Sequence, residues 1–246
     1  GLQDVAEKTI FEYEDIKGEA LAVPVSNINP YLVDAPDLVL EKRNQPICIV
    51  PTISYGSMAN DDGQLLLDKE QRNALIAAEP ATAPYIRRYM GAQEFLNNAE
   101  RWCLWLKDIS PSLMRSSNEL RHRIEAVRKF RASSNREATR NLAATPSLFG
   151  EDRQPLKSYL LLPKVSSENR PYMPIGFMPS EVIANGSALT ISDSGHYEMG
   201  VLQSKMHMAW MRAVAGRMKS DYQYSAQIVY NNFPWPDIPE KLEPNQ

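Results

Sequence analysis

The hydrophobic and polar positions of this chain change period several times along its length. Thr9-Ile10-Phe11-Glu12-Tyr13 and Leu21-Ala22-Val23-Pro24-Val25 read as short strands, and Leu38-Val39-Leu40 and Ile47 to Val50 as two more. Asp68 to Ala78 has helical spacing, with Asp68 as N-cap and Leu67 and Leu75 near its apolar stripe, and Pro80 and Pro84 break it. Strand character returns over Trp102 to Lys107. Ser110-Pro111 opens a long helix along which Leu113, Leu120, Ile124 and Val127 recur at helical spacing, with Ser as N-cap and Pro in the first turn. Arg136 to Ala144 is a further helical segment that ends before Pro146.

Tyr159 to Lys164 is again a strand, and Pro171 to Gly176 a loop. Val182-Ile183 and Ala188 to Ile191 flank Asn185-Gly186-Ser187, which reads as a hairpin turn. A helix from Glu198 to about Ala215 carries Met199, Leu202, Met206, Trp210 and Val214, with Gly216 as its C-cap. In the strand that follows, Tyr222, Tyr224 and Ala226 share one parity, while Lys219, Asp221, Gln223 and Ser225 share the other. A strand turns those sets to opposite faces. Asn231-Asn232 stops the strand, and Pro234 and Pro236 hold Phe233 and Trp235 extended, as an aromatic plug on the core. The whole reads as an α+β fold of mixed and antiparallel sheet segments with several packed helices, not a regular βαβ alternation.

At 246 residues, 43% hydrophobic and 23% charged, the composition is that of an ordinary soluble protein with a sizeable core. No apolar run approaches the roughly 20 residues of a membrane span, and no signal peptide is visible. Cys48 and Cys103 sit in apolar runs, which suggests buried thiols in a reducing, cytoplasmic setting. His122, His196 and His207 show no paired spacing with them, which argues against zinc. The net charge of −3 weighs mildly against nucleic acid, but its distribution is uneven. Residues 1–37 hold eight acidic residues and two lysines, whereas Arg115 to Arg140 holds eight Lys/Arg and three Glu. A local stripe is enough, because attraction to phosphate is screened beyond about 8–10 Å. The chain opens on Gly1 with no initiator Met, as expected of a piece of a longer polypeptide.

Tyr230-Asn231-Asn232-Phe233-Pro234-Trp235-Pro236, preceded by Ser204 to Trp210, resembles the target-recognition region of MmeI-like type IIL restriction–modification enzymes. Ile28 to Pro36 is similar to the segment that opens that region. Tyr55-Gly56-Ser57-Met58 with Asp61 to Leu67, Trp102 to Leu106, Arg128 to Arg131 and Pro163 to Glu168 resemble further family blocks, in order. The family consists of large adenine-N6 DNA methyltransferases fused to a nuclease. The resemblance implies a DNA target-recognition domain over 1–236, divisible at 1–108 and 109–236, with 237–246 starting a linker to a C-terminal region. It implies double-stranded DNA and the catalytic methyltransferase domain of the same parent chain as partners, with no membrane. S-adenosylmethionine and Mg²⁺ would serve the parent enzyme, and no cofactor is expected in this part.

Catalytic machinery is not legible here. Asn29-Pro30-Tyr31 is the nearest match to an Asn-Pro-Pro-Tyr methyltransferase loop and lacks the second Pro, so Asn29 reads as structural. No Gly-x-Gly turn follows a strand. Asp61-Asp62-Gly63 reads as a turn, Ser57, Ser187 and Ser194 have no nucleophile context, and His207 reads as a helix residue.

For recognition, phosphate contacts position and base-edge contacts specify. The phosphate candidates are Arg121, Arg128, Lys129, Arg131, Arg136 and Arg140 on the central helices. Base-edge readers must project from loops or strand ends and offer paired donors or acceptors. Glu168 and Arg170 after a strand, Asn185 in its turn, and Lys219, Asp221 and Gln223 on one strand parity meet those terms. A rival reading is a protein-interaction domain that uses the Met-rich helix carrying Met199, Met206, Met208 and Met211.

Overall fold

The computed structural model describes residues 7–15 and 17–237. The chain begins with the antiparallel pair β1 (Lys8–Tyr13) and β2 (Ala20–Val25), followed by an irregular stretch to β3 (Ile53–Tyr55). β4 (Leu66–Leu67), α1 (Lys69–Ala78), β5 (Ile86–Met90), α2 (Ala92–Asn97) and β6 (Trp102–Leu104) come next. The central helices are α3 (Pro111–Ser116), α4 (Asn118–Ala132) and α5 (Glu137–Asn141). The second half adds β7 (Tyr159–Pro163), β8 (Val165–Ser166), β9 (Gly176–Met178), β10 (Ile183–Ala184) and β11 (Ala188–Ser192). It closes with α6 (His196–Leu202), α7 (Lys205–Val214), β12 (Gly216–Met218) and β13 (Asp221–Gln223). This is an α+β fold.

Besides β1–β2, the strands form three sheets, ordered β10-β5-β6-β4, β3-β11-β7-β9 and β12-β13-β8. The first two each draw strands from both sides of residue 108. β7 is buried along its whole length. Leu160 and Leu162 enter a core shared with β11, α6, α7 and the C-terminal aromatics, while Tyr159 and Leu161 face the opposite way toward Ala184 and Ala188. A second large core joins Leu65, Leu67, Trp102 and Leu104 to Leu120, Ile124 and Val127 of α4. The spacing of those α4 residues is the apolar stripe expected from the sequence.

Local capping explains where several elements start. The Asp68 carboxylate accepts from Gln71 N at 2.8 Å, and Gln71 Oε1 accepts from Asp68 N at 3.1 Å, a reciprocal capping box that opens α1. The helix expected from Ser110 onward is instead two helices. Ser117 is extended (ψ 118°) and its Oγ caps α4 by accepting from Leu120 N at 3.0 Å. The Glu79 carboxylate adds to that cap by accepting from Asn118 N and Glu119 N, where the helix dipole favours an anion.

The helix expected over 198–215 starts earlier, at His196, and breaks before Ser204, whose Oγ accepts from His207 N at 3.1 Å. Gly216 is not its C-cap, because Ala215 is already extended and Gly216 pairs with Gln223. Trp102 to Lys107 is strand only as far as Leu104.

Other departures have a tertiary cause. Leu38 to Leu40 and Ile47 to Val50 are not strands. They belong to a strap held by the C-terminal motif: Asn231 Nδ2 donates to Arg43 O at 2.7 Å, and Asn232 Nδ2 to Glu41 O at 3.1 Å. Arg43 Nε donates to Asn232 Oδ1 at 2.9 Å, and Tyr230 Oη to Pro51 O at 2.7 Å. The last strand stops at Gln223, and Ala226 to Tyr230 wind into one π-helical turn capped by Ser225 Oγ. The aromatic plug is present, with Phe233 and Trp235 buried and packed edge-on at 5.8 Å. The turn at Asn185 forms, with Ala188 N bonded to Asn185 O at 3.0 Å, but its flanks do not pair with each other. β10 runs parallel to β5, and β11 pairs with β3 and β7.

Candidate nucleic-acid interface

The β12-β13-β8 sheet gathers two of the three segments expected to read bases. β12 and β13 form a hairpin with Met218 opposite Asp221 and Gly216 opposite Gln223, so its two-residue tip is Lys219-Ser220. β13 pairs antiparallel with β8, with Tyr222 opposite Ser166. That register carries the chain leaving β8, with Glu168 and Arg170, toward the same end of the sheet as the hairpin tip. Lys219 does not lie on the strand, as its parity suggested. It occupies the turn at φ +58°, the left-handed conformation that strand-matching two-residue turns need at their first position. Asp221 and Gln223 remain on one face of β13, while Tyr222 between them is buried on the other.

Glu168 sits on the Tyr222 side. Its Oε2 lies 3.5 Å from Arg217 Nη1. The Arg217 guanidinium stacks 3.8 Å from the centre of the Tyr222 ring and donates to Ser220 O at 2.7 Å. Arg217, which the sequence reading passed over, thus ties the loop after β8 to the hairpin tip. No residue-level signal announces it, because β12 is only three residues long and its partner strand makes it. Arg170 is half-buried, and its Nε has no partner among the described residues.

Asn185 is placed apart from this cluster and is occupied by its own turn. Its Oδ1 accepts from Ser187 N at 2.8 Å and Ser187 Oγ at 2.6 Å, and its side chain closes over Gly91 so tightly that any Cβ there would collide. The turn lies at the Lys164 end of β8, where Lys164 Nζ donates to Gly186 O.

Of the phosphate candidates, Arg121, Arg128, Lys129, Arg136 and Arg140 are exposed. Arg121, Arg128 and Lys129 share a face of α4, at i, i+7 and i+8. Arg131 is a correction. Its side chain is 0% exposed and every N–H is used internally. Nε donates to Asn60 O, Nη1 to Leu142 O and Thr145 O, and Nη2 to Ala59 O and Leu148 O, at 2.7–3.0 Å. Burial lowers its pKa from the ordinary arginine value. This arginine organises loops and cannot reach a phosphate.

The residues set aside as structural have structural partners. Asn29 is buried and its Oδ1 accepts from Tyr31 N and Val33 N. Asp61 Oδ2 accepts from Leu65 N at 2.6 Å, closing a turn in which Asp62 and Gly63 have positive φ. His207 is buried, its Nε2 is 2.9 Å from Tyr224 Oη, and its ring packs edge-on against Phe233. Burial pushes the imidazole down to about 4, so the ring stays neutral. Met208 and Met211 lie in the core and Met199 packs against it, which leaves only Met206 of the four exposed. A Met-rich docking face on this helix is therefore not formed. Among the described residues no group of three His, Cys, Asp or Glu is placed to hold a metal, and no helix is long and apolar enough to cross a membrane.

The exposed polar β12–β13 ribbon and the cationic face of α4 are surfaces of the two kinds that a DNA-recognition module needs, one for base edges and one for phosphates. The chain belongs to the MmeI target recognition domain family, whose model matches residues 34–237. The chain is 45% identical to the type IIL restriction–modification enzyme MmeI, solved in complex with DNA, with a TM-score of 0.91 over 98% of this chain and 32% of that one. It is also 37% identical over 214 residues to DNA methyltransferase A of Bacillus subtilis (strain 168), covering 87% of this chain and 24% of that protein. The chain thus spans a third or less of each relative's length.

Proposed function

We propose that this chain names the DNA site for a larger adenine-N6 methyltransferase and restriction enzyme. The observation that carries the reading is the β12–β13 ribbon, whose strand β12 and tip residues Lys219 and Ser220 are exposed, as is Gln223. A two-stranded ribbon fits the roughly 12 Å width of the major groove. Lys219 donates, Asp221 accepts and Gln223 does both, so together they can match one pattern of base edges. Arg170 at the same end of the sheet is the further candidate, suited to guanine or to a phosphate. Glu168, drawn to Arg217, braces this arrangement, and Asn185 is left to its turn. Arg121, Arg128, Lys129, Arg136 and Arg140 supply phosphate contacts that hold the register.

The remaining chemistry belongs to the rest of the parent polypeptide, in the compartment that holds its DNA. S-adenosylmethionine would supply the methyl group, Mg²⁺ the nuclease, and the target adenine would be flipped out of the duplex held here. Exchanging Lys219 and Asp221 (Lys219→Asp with Asp221→Lys) in the parent enzyme reverses the order of donor and acceptor. The preferred base at one position of the site should change, since a wrong base costs about 1–3 kcal/mol. Sequencing of modified bases in DNA from cells carrying the variant reads this directly. An unaltered motif from a folded, active variant would remove these residues from the readout.

A further inference from the structure

We infer that the β1–β2 hairpin is not part of the recognition module but docks on the portion of the parent polypeptide that precedes it. The inference rests on reading this chain as one part of a longer protein.

The hairpin is a poor fit to a free surface. Phe11, Tyr13 and Leu21 are 59%, 56% and 64% exposed. Phe11 and Tyr13 share one face, while Leu21, opposite Glu12, belongs to the other, so both faces carry uncovered apolar area. Among the described residues neither strand pairs with any strand but the other. A lone two-stranded hairpin is marginal in water and needs a third strand or a packed face. An open cleft of about 460 Å³ separates Tyr13, Glu14 and Asp15 from Glu168, Asn169 and Arg212.

The family boundary falls in the right place. The recognition-domain model starts at residue 34, after both strands. Yet the solved MmeI structure aligns over 98% of this chain, too much to leave the hairpin out. The hairpin therefore has a counterpart in a chain of which only 32% is aligned, so most of that polypeptide lies outside the aligned region.

Charge selects among occupants. Glu12, Glu14, Asp15 and Glu19, all exposed around the tip, outnumber the exposed Lys17 there, and this net negative charge repels phosphate. A second copy meeting this one across a two-fold axis would set the same carboxylates against each other. A different part of the parent polypeptide, apolar where it meets the strands and basic near the tip, satisfies both constraints.

Hydrogen exchange compares the 246-residue chain with the full polypeptide that contains it. Amides of residues 8–13 and 20–25 should exchange at least a hundredfold more slowly in the full polypeptide, with β7 and β11 equal in both. Phe11→Ser with Leu21→Ser should abolish that added protection and leave β7 and β11 unchanged. Equal hairpin exchange in both proteins would overturn the inference. So would hairpin protection of the short chain that rises with its concentration or on adding duplex DNA. A reading frame that encodes nothing beyond this chain would overturn both this inference and the parent-enzyme reading. Unprotected hairpin amides in a longer, site-specific enzyme would overturn this inference alone.

Discussion

Glu168 and Arg217 face each other at 3.5 Å across the two segments that converge at the hairpin tip. The pair is half-exposed, so its own contribution to stability is small, at most about 1 kcal/mol. Its importance is geometric. Arg217 also holds the Ser220 carbonyl and lies on Tyr222, so it sets the aim of the turn that carries Lys219. Arg217→Ala should move the melting temperature little while weakening binding to the preferred site about tenfold and to unrelated duplex hardly at all. Arg217→Lys, which keeps the charge but not the planar stack, should recover only part of the loss. Fluorescence titrations against matched and single-mismatch duplexes check this. Equal losses on every sequence would make Arg217 a phosphate contact.

On α4, replacing Arg121, Arg128 and Lys129 together with Ala should weaken binding to all sequences alike. The slope of log K against log salt should flatten by about one unit for each lost phosphate contact. Binding measured from 50 to 200 mM salt decides, and an unchanged slope assigns this face to solvent.

Arg131 should behave in the opposite way. Arg131→Met removes donors from five buried or half-buried carbonyls and is expected to cost about 3–5 kcal/mol of folding stability. Urea unfolding measures it. A loss under about 1 kcal/mol would mean the loops at Ala59, Leu142 and Leu148 hold themselves.

The buried His207 gives stability a defined pH limb. The folded chain keeps it neutral down to about pH 4, whereas an unfolded histidine takes a proton near 6.5. With the folded pKa below the unfolded one, stability from this group is full above about pH 6.5. It falls as pH drops from 6.5 toward 4, by about 3 kcal/mol in all, and is level below that. His207→Gln, which keeps a partner for Tyr224 but does not titrate there, should lose this limb. Urea midpoints of both proteins between pH 7.5 and 4.5 would show parallel curves if His207 were not responsible.

Asn232 donates to the carbonyls of Glu41, Gln227 and Ile228 and accepts from Arg43. Asn232→Ala should therefore cost about 1–3 kcal/mol and speed amide exchange in residues 41–47 selectively. Uniform exchange changes across the chain would argue against a local staple.

The sequence by itself determined what depends on neighbours along the chain. The N-cap at Asp68, the apolar stripe Leu120, Ile124 and Val127, the strand at Tyr159 and the buried Phe233 and Trp235 were all legible, because periodicity, caps and proline act within a few residues. The family was legible in ordered motifs for the same reason.

Tertiary structure alone decided which residues are free to act. Arg131 and Arg128 look alike in a basic helix, but 131 falls on the stripe that faces the Ala59 and Leu148 carbonyls and 128 on the side that faces water. Asn231 and Asn232 read as a strand stop and are instead the anchor of a strap nearly 190 positions earlier in the chain. Lys219 left the strand because β12, invisible in the sequence, folded back on β13 and made it a turn. Burial and long-range pairing depend on where distant segments meet, and no local pattern carries that information.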